Sequence, residues 1–265
     1  MVTVKDILNC LEAFAPSYMA MDFDNVGLLA GFPEKEVTRV LCALDVTEAV
    51  IAEAEALGAE VIAAHHPLIF HPLKALRADD AVGRKLIRLV GGGRSAICMH
   101  TNLDAAAGGV NDALAEALGL RVTGLLSSHG AHPDGRPYGI GRVCALPEPM
   151  PVEAFLARVK GRLLSAGLRW VPGKNALVSR VAVCGGAGGG EIGAALAAGC
   201  DAYVTADIKY DQLLYAREAG LTLIDADHFC TENVVVPKLK AVIAAHFPEL
   251  DVRVSAVHGQ TARFY

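Results

Sequence analysis

Ala59-Glu60-Val61-Ile62-Ala63-Ala64-His65-His66-Pro67 is the stretch from which the rest of the chain can be read. A short apolar run of this kind reads as a buried strand. Two imidazoles at its exit, followed at once by a proline that stops the ladder, stand where open α/β sheets place their ligands. Neighbours on a strand point to opposite faces, so His65 and His66 can serve one site only if the chain turns where the strand ends. Pro67 favours that break.

Two later segments echo the pattern. His100-Thr101-Asn102-Leu103-Asp104 and Asp227-His228-Phe229-Cys230-Thr231-Glu232 each follow an apolar strand and offer a histidine and a carboxylate four residues apart. In a helix that spacing places both on one face.

Working outward, apolar runs alternate with helical patterns. Thr3 opens a helical pattern over 3–14; 37–44 reads as a strand, and Thr47 caps a helix that ends at Gly58. Strands at 61–64 and 96–99 flank a helix over 81–90, and a helix over 109–118 stops at Gly119. The second half repeats the order: strand 181–184, a glycine-rich turn, a helix to Ala198, strand 202–205, helix 211–219 and strand 222–224. Alternation of this kind implies parallel sheet with right-handed crossovers. Ala56-Leu57-Gly58-Ala59-Glu60-Val61 and Ala197-Ala198-Gly199-Cys200-Asp201-Ala202 correspond, and on that alignment His66 falls on Asp207. A chance likeness of generic α/β units is the alternative.

The expected architecture is therefore α/β: two similar three-layer units with mainly parallel sheets, related by internal duplication, with a metal site between them. Residues 1–126 form the first unit and 127–236 the second. Residues 127–137, rich in Gly, Pro, Ser and His, read as a linker, followed by a strand over 141–146 and a helix over 151–166. For the tail, with a helix over 237–246 and an extended stretch over 250–257, packing of 237–265 back on the first unit is one option left open.

Composition narrows the function. The 265 residues are 53% hydrophobic, enough for a large core in one big domain or two smaller ones. The net charge of −5 is dispersed, so the basic stripe that nucleic-acid backbones require is lacking and no DNA-binding signature is present. Charges at Lys5 and Asp6 fall where a signal peptide needs an apolar core, and no uncharged apolar run approaches the ~18 residues of a membrane span. The seven cysteines never form Cys-x-x-Cys, which argues against a disulfide framework or a thiolate zinc site. A soluble cytoplasmic protein with reduced, mostly buried thiols is expected.

His65, His66, Asp104, His228 and Glu232 form the metal-ligand set. Zinc, iron and manganese accept imidazole nitrogen and carboxylate oxygen, and two such ions ~3.5–4 Å apart share bridging carboxylates. Any one of these residues alone is more simply a satisfied strand-end histidine or a helix-capping acid; five at three successive strand ends point to two divalent ions. His100 reads as orienting a carboxylate or touching substrate. Asp207 and Lys209, in Thr205-Ala206-Asp207-Ile208-Lys209, read as general acid/base and anion clamp, with a loop-entrance ion pair as the alternative. His71 belongs to a rim; His129, His132, His246 and His258 read as surface; Asp45 reads as a cap for the helix at Thr47 or, less simply, as an outer partner of the metal site. Gly188 to Gly193 in the glycine-rich loop fits Gly-x-Gly-x-x-Gly, but glycines this dense make such a match nearly inevitable. Backbone N–H groups approaching a substrate phosphate are the better reading of that loop.

These segments resemble the GTP cyclohydrolase I type 2 homologue family, also called the Nif-three-like dinuclear-metal proteins. The likeness runs almost end to end, through Leu11-Glu12-Ala13-Phe14-Ala15-Pro16, Asp24-Asn25-Val26-Gly27-Leu28-Leu29, His65-His66-Pro67, His100-Thr101-Asn102-Leu103-Asp104, Gly108-Gly109-Val110-Asn111-Asp112 and Asp201 to Tyr210. The resemblance implies a dinuclear site at the five positions above and a ring-shaped homohexamer with its sites facing an inner cavity. It implies a metal-dependent hydrolase acting on a small molecule, a nucleotide among the candidates, with hydrolytic opening of the GTP imidazole ring and release of formate as the candidate reaction. A non-enzymatic metal-binding or metal-delivery protein, or an interaction scaffold, is the alternative. The sequence departs from the family pattern at Ala206, where Gly is usual, at Asp211, where His is usual, and at Asp227, where Gly is usual before His228.

Overall fold

The computed structural model describes residues 1–263. Helix α1 (Val4–Phe14) starts in a reciprocal cap, with Thr3 Oγ1 accepting from the Asp6 N–H and the Asp6 carboxylate accepting from the Thr3 N–H at 2.8 Å. Then come β1 (Gly27–Ala30), β2 (Arg39–Ala43), α2 (Glu48–Leu57), β3 (Val61–Ala64), α3 (Ala81–Gly91), β4 (Ser95–Cys98) and α4 (Thr101–Ala105). Thr47 caps α2 and Gly58 ends it at φ 68°, as the sequence predicts. The chain continues with α5 (Val110–Ala117), β5 (Arg121–Leu125), β6 (Gly130–Ala131), β7 (Pro137–Tyr138), β8 (Arg142–Pro151), α6 (Val152–Leu163), β9 (Arg169–Val171) and β10 (Leu177–Val183). It ends with α7 (Ile192–Ala197), β11 (Ala202–Thr205), α8 (Tyr210–Ala219), β12 (Thr222–Asp225), α9 (His228–Glu232), α10 (Val236–His246) and β13 (Asp251–Val254).

The chain divides into two compact units, Met1–Ala106 with Val236–Gly259, and Ala107–Val235 with the residues from Gln260. The division falls twenty residues earlier than the sequence expectation, so α5 and β5 belong to the second unit. The stretch read as a linker folds into a short antiparallel ladder, β6 with β7.

The first unit holds a five-stranded sheet in the order β1-β4-β3-β2-β13. Its pairs are parallel except β1 with β4, and the tail returns to it: β13 lies parallel to β2, Val252 opposite Val40. Leu41, Ala43, Ile62, Ala64, Ala96 and Cys98 alternate along the strands and pack on Val50, Ile51 and Ala54 of α2 and Leu86 and Leu89 of α3. The opposite face is covered by α1 and α10. Strands buried on both faces read as continuous apolar runs, which is why 61–64 shows no alternation.

The second unit holds a six-stranded sheet, β5-β8-β10-β11-β12-β9. Only its centre, β10-β11-β12, is parallel; β5, β8 and β9 run antiparallel to their neighbours. Val181, Val183, Ala202 and Val204 pack on α5 and α6, while Ala182, Tyr203 and Leu223 pack on α7 and α8. In both units the parallel strands bring their carboxyl ends to one edge, which is where the functional side chains emerge.

Six cysteines are buried and Cys230 is partly so, all as free thiols. Burial pushes the thiols of Cys42, Cys98 and Cys144 up to about 12. Among the described residues no helix is long and apolar enough to cross a membrane.

One ion pair ties the second sheet to α5. The Arg142 guanidinium at the start of β8, 7% exposed, donates to Asp112 from Nε at 3.1 Å and from Nη2 at 2.9 Å. Asp112 also accepts from the Gly108 N–H, closing the turn before α5. Replacing Asp112 with Ala should lower stability by about 2–3 kcal/mol, because a nearly buried cation loses its counter-charge. Urea denaturation checks this, and an unchanged midpoint would refute it.

Candidate metal centre

Three parallel strand ends build the site of the first unit. At the exit of β3 the N–H groups of His65 and His66 both donate to one acceptor, the Leu44 carbonyl, at 3.2 and 2.9 Å. Two successive amides can share a carbonyl only if strand geometry has been left. The alternation of faces is thus broken, and the two imidazoles lie side by side with ring centres 5.0 Å apart. His100, after β4, joins them with its ring 5.3 Å from that of His65 and 5.8 Å from that of His66. One ligand nitrogen from each of the three rings falls within 4.8 Å of the others. Asp104, on α4, brings a carboxylate oxygen to 3.8 Å from His65 Nε2.

Each ring is held by its Nδ1. His65 Nδ1 lies 2.8 Å from the Met99 carbonyl, His66 Nδ1 2.7 Å from Asp45, and His100 Nδ1 2.8 Å from Asp24. A carbonyl or an ionised carboxylate only accepts, so each Nδ1 carries the proton and each Nε2 of a neutral ring is an acceptor. Metal-ligating histidines are held in this way. Asp24 is itself fixed. Burial works against its charge, but hydrogen bonds from His100, the Thr101 hydroxyl and the Thr101 N–H keep its carboxyl well below the usual range. Its neighbour Asn25 donates to the Ile69 carbonyl at 2.6 Å, tying the same loop to the segment after His66.

The second unit repeats the device at the ends of β11 and β12. His228 opens α9, with Nδ1 2.7 Å from Asp207 and Nε2 2.9 Å from the carboxylate of Glu232, one helical turn on. With Nδ1–H directed at Asp207, the Nε2 lone pair of a neutral ring would face the lone pairs of Glu232, so a proton or a cation belongs between them. Glu232 is buried, 4% exposed, against the glycine-rich loop. A Cβ on Gly186 would lie 2.1 Å from Glu232 Oε1 and 3.2 Å from His228 Cε1. The loop's glycines therefore make room for the carboxylate. Three of its amides are also occupied: Gly185 donates to Asn111, Gly186 to Thr231 Oγ1 and Gly188 to Thr205 Oγ1, each at 3.0 Å. Three N–H groups expected to face a phosphate are thus turned inward.

Asp227 explains one departure from the family pattern. Its φ of 78° is left-handed, a conformation glycine adopts freely. The aspartate offsets that strain by capping α9, its side chain accepting from the Cys230 N–H at 3.1 Å. Asp211 is exposed in the first turn of α8, and Lys209, also exposed, stands just ahead of that helix. A cavity of about 260 Å³ opens beside His228, lined among others by Arg169, Asp207, Asp225, Asp227 and Gln260.

The imidazole nitrogens and carboxylate oxygens of these clusters form a donor set that can hold a divalent metal ion. Residues 2–262 match the family described as Duf34/NIF3 (NGG1p interacting factor 3). The chain belongs to the DUF34/NIF3 family. Among its NIF3 relatives, the GTP cyclohydrolase 1 type 2 homolog of Clostridium perfringens is 37% identical over 236 residues, 89% of each chain. The Streptomyces coelicolor protein of the same name is 37% identical over 88% of this chain and 82% of its own. The fold of a Bacillus cereus protein related to NIF3 superposes with a TM-score of 0.94 at 28% identity, covering 100% of this chain and 99% of that one.

Asp24 and Asp45 are the site residues that a NIF3 reading of the sequence underrated. Thr47, not Asp45, caps α2, and the Asp45 carboxylate is instead spent on His66. Asp24 carries no metal-like spacing to any histidine, so its role is visible only in three dimensions.

Three variants test this arrangement. Gly186→Ala should lower zinc affinity roughly ten- to a hundredfold by displacing Glu232, in the range found for disturbed outer partners of metal ligands; competition with a chromophoric chelator would measure it, and wild-type affinity would sink the idea. Asp227→Gly should leave stability within about 1 kcal/mol of wild type, whereas Asp227→Ala, strained and without a cap, should lose about 1–2 kcal/mol more. Equal melting of the two would refute the account of Asp227.

Proposed function

We propose that this chain is a metal-dependent hydrolase with a dinuclear centre, in which His65, His66, Asp104, His228 and Glu232 hold two divalent ions such as zinc, iron or manganese. The observation that carries the reading is the common setting of the rings: His65, His66 and His228 each direct Nδ1 to an acceptor, which presents Nε2 as the nitrogen that meets a carboxylate or a cation. When bound, such ions supply Lewis acidity, activating water near neutral pH and neutralising charge on the attacked centre.

The chain's own residues supply the rest. Asp45 and Asp207 orient His66 and His228, and the Met99 carbonyl orients His65. His100, held by Asp24 at the side of His65 and His66, is placed to exchange a proton with substrate or to fix its orientation. With three glycine amides engaged internally, the anion clamp falls to Lys209, an exposed residue just ahead of α8. The relatives named as GTP cyclohydrolase 1 type 2 homologs support a purine nucleotide as substrate, with hydrolytic opening of the imidazole ring of GTP and release of formate as the candidate reaction.

Glu232→Gln removes one anionic ligand and leaves the volume unchanged. Metal content, measured by mass spectrometry on protein purified without chelator, should fall from about two ions per chain, and formate release from GTP should fall by at least a hundredfold. Undiminished turnover in this variant excludes the proposed centre. Full metal content in the wild type with no turnover of nucleotides would leave a metal-binding or metal-delivery protein as the function.

A further inference from the structure

Two phenyl rings stand in water beside the histidines of the first unit. Phe23 is 66% exposed and Phe70 40% exposed. Their ring centres are 6.3 Å apart at 75°, and Phe70 meets His100 edge to face at 6.0 Å and 88°. The rings form a stair from solvent to the imidazole cluster. Large apolar side chains are normally withdrawn from water, and a contiguous exposed pair beside polar groups marks a binding surface.

The backbone beneath the rings is held firmly. Phe23 occupies a turn closed by the Asp24 N–H donating to the Met21 carbonyl at 2.9 Å, and the Met21 N–H donates to Thr101 Oγ1 at 2.9 Å. Phe70 follows Ile69, whose carbonyl accepts from Asn25. Asp24, which fixes His100, lies next to Phe23 in sequence, so one loop sets both the imidazole and the first phenyl ring. The mounting is therefore hydrogen-bonded to the same loops as the polar site, although the rings themselves stay exposed.

From this we infer that Phe23 and Phe70 are a stacking platform for the flat heteroaromatic ring of the substrate. The inference rests on the hydrolase reading for the reaction but not for the binding. Stacking on aromatic faces tolerates any base, because every base has a π-face. A nucleobase resting there would place its ring atoms beside His100 while a phosphate chain extends away from the apolar pair. The rings thus select for planarity and leave the choice among purines to polar groups.

The test is calorimetric titration of metal-loaded wild-type, Phe23→Ala, Phe70→Ala, Phe70→Leu and Phe70→Trp proteins. The probes are GTP, ATP, CTP and inorganic tripolyphosphate. Phe70→Ala should weaken nucleotide binding roughly tenfold or more, with tripolyphosphate affinity and metal content unchanged. Phe70→Trp should restore binding and Phe70→Leu should not, since leucine keeps the apolar volume but lacks the π-face. Wild-type nucleotide affinity in Phe70→Ala, an equal loss for tripolyphosphate, or no binding of any nucleotide to the wild type overturns the platform. So does a change of oligomeric state in Phe23→Ala or Phe70→Ala with nucleotide affinity unaltered, which would assign the rings to a contact between copies of this chain. Binding that depends on Phe70 without turnover by the wild type removes the hydrolase reading and keeps the platform. Turnover with an unchanged KM in Phe70→Ala does the reverse.

Discussion

An imidazole has two nitrogens, and a protein that wants one of them for chemistry must commit the other. In this chain the commitment is uniform. His65, His66, His100 and His228 each direct Nδ1 to a group that can only accept a proton. The acceptors come from strand ends or the loops that pack on them: Met99 and Asp45 in the first sheet, Asp24 from the loop before β1, and Asp207 after β11. The parallel core of each sheet delivers these groups to one edge, and the caps, glycines and turns around it keep them there. If the acceptors were lost, each ring would be free to flip and its Nε2 would no longer be held in one direction.

Much of this was legible in the sequence, for reasons that can be stated residue by residue. The buried parallel strands show as unbroken apolar runs, and Thr47, Gly58, Gly119 and Gly220 punctuate them with caps and left-handed stops that only a few residue types fill. The histidine and carboxylate pairs were visible because α4 and α9 bring residues four apart onto one face. What stayed hidden depended on distance in space. Asp24 reaches His100 across 76 positions of sequence, and no local rule links them. The glycine-rich loop was ambiguous in the sequence because glycine density fits two causes, an open amide cradle or a space cleared for a neighbour. Only the position of Glu232 against Gly186 separates them.

The strand content was harder to foresee at the margins than at the centre. β1, β5 and β9 lie at sheet edges, and the first two carry register shifts, at Leu28/Ala30 and at Val122/Gly124. Edge strands lack a second neighbour to enforce alternation, so their sequence pattern is weak. Of these, β5 and β9, together with β8, make the second sheet mixed where a mainly parallel one was expected. The unit boundary moved for a related reason. α5 packs its Leu114 and Ala115 into the core of the second sheet, whereas its sequence position suggested the closing helix of the first.

The state of the thiols bears on which kinds of ligand this chain can offer a metal ion. With Cys42, Cys98 and Cys144 enclosed and pushed up to about 12, sulfur in these strands stays protonated at any physiological pH. Thiolate is the form that captures soft and borderline ions, so these residues offer no competing sink. An ion held at the strand ends would meet nitrogen and oxygen, and its identity would be decided by geometry and by supply rather than by affinity for sulfur.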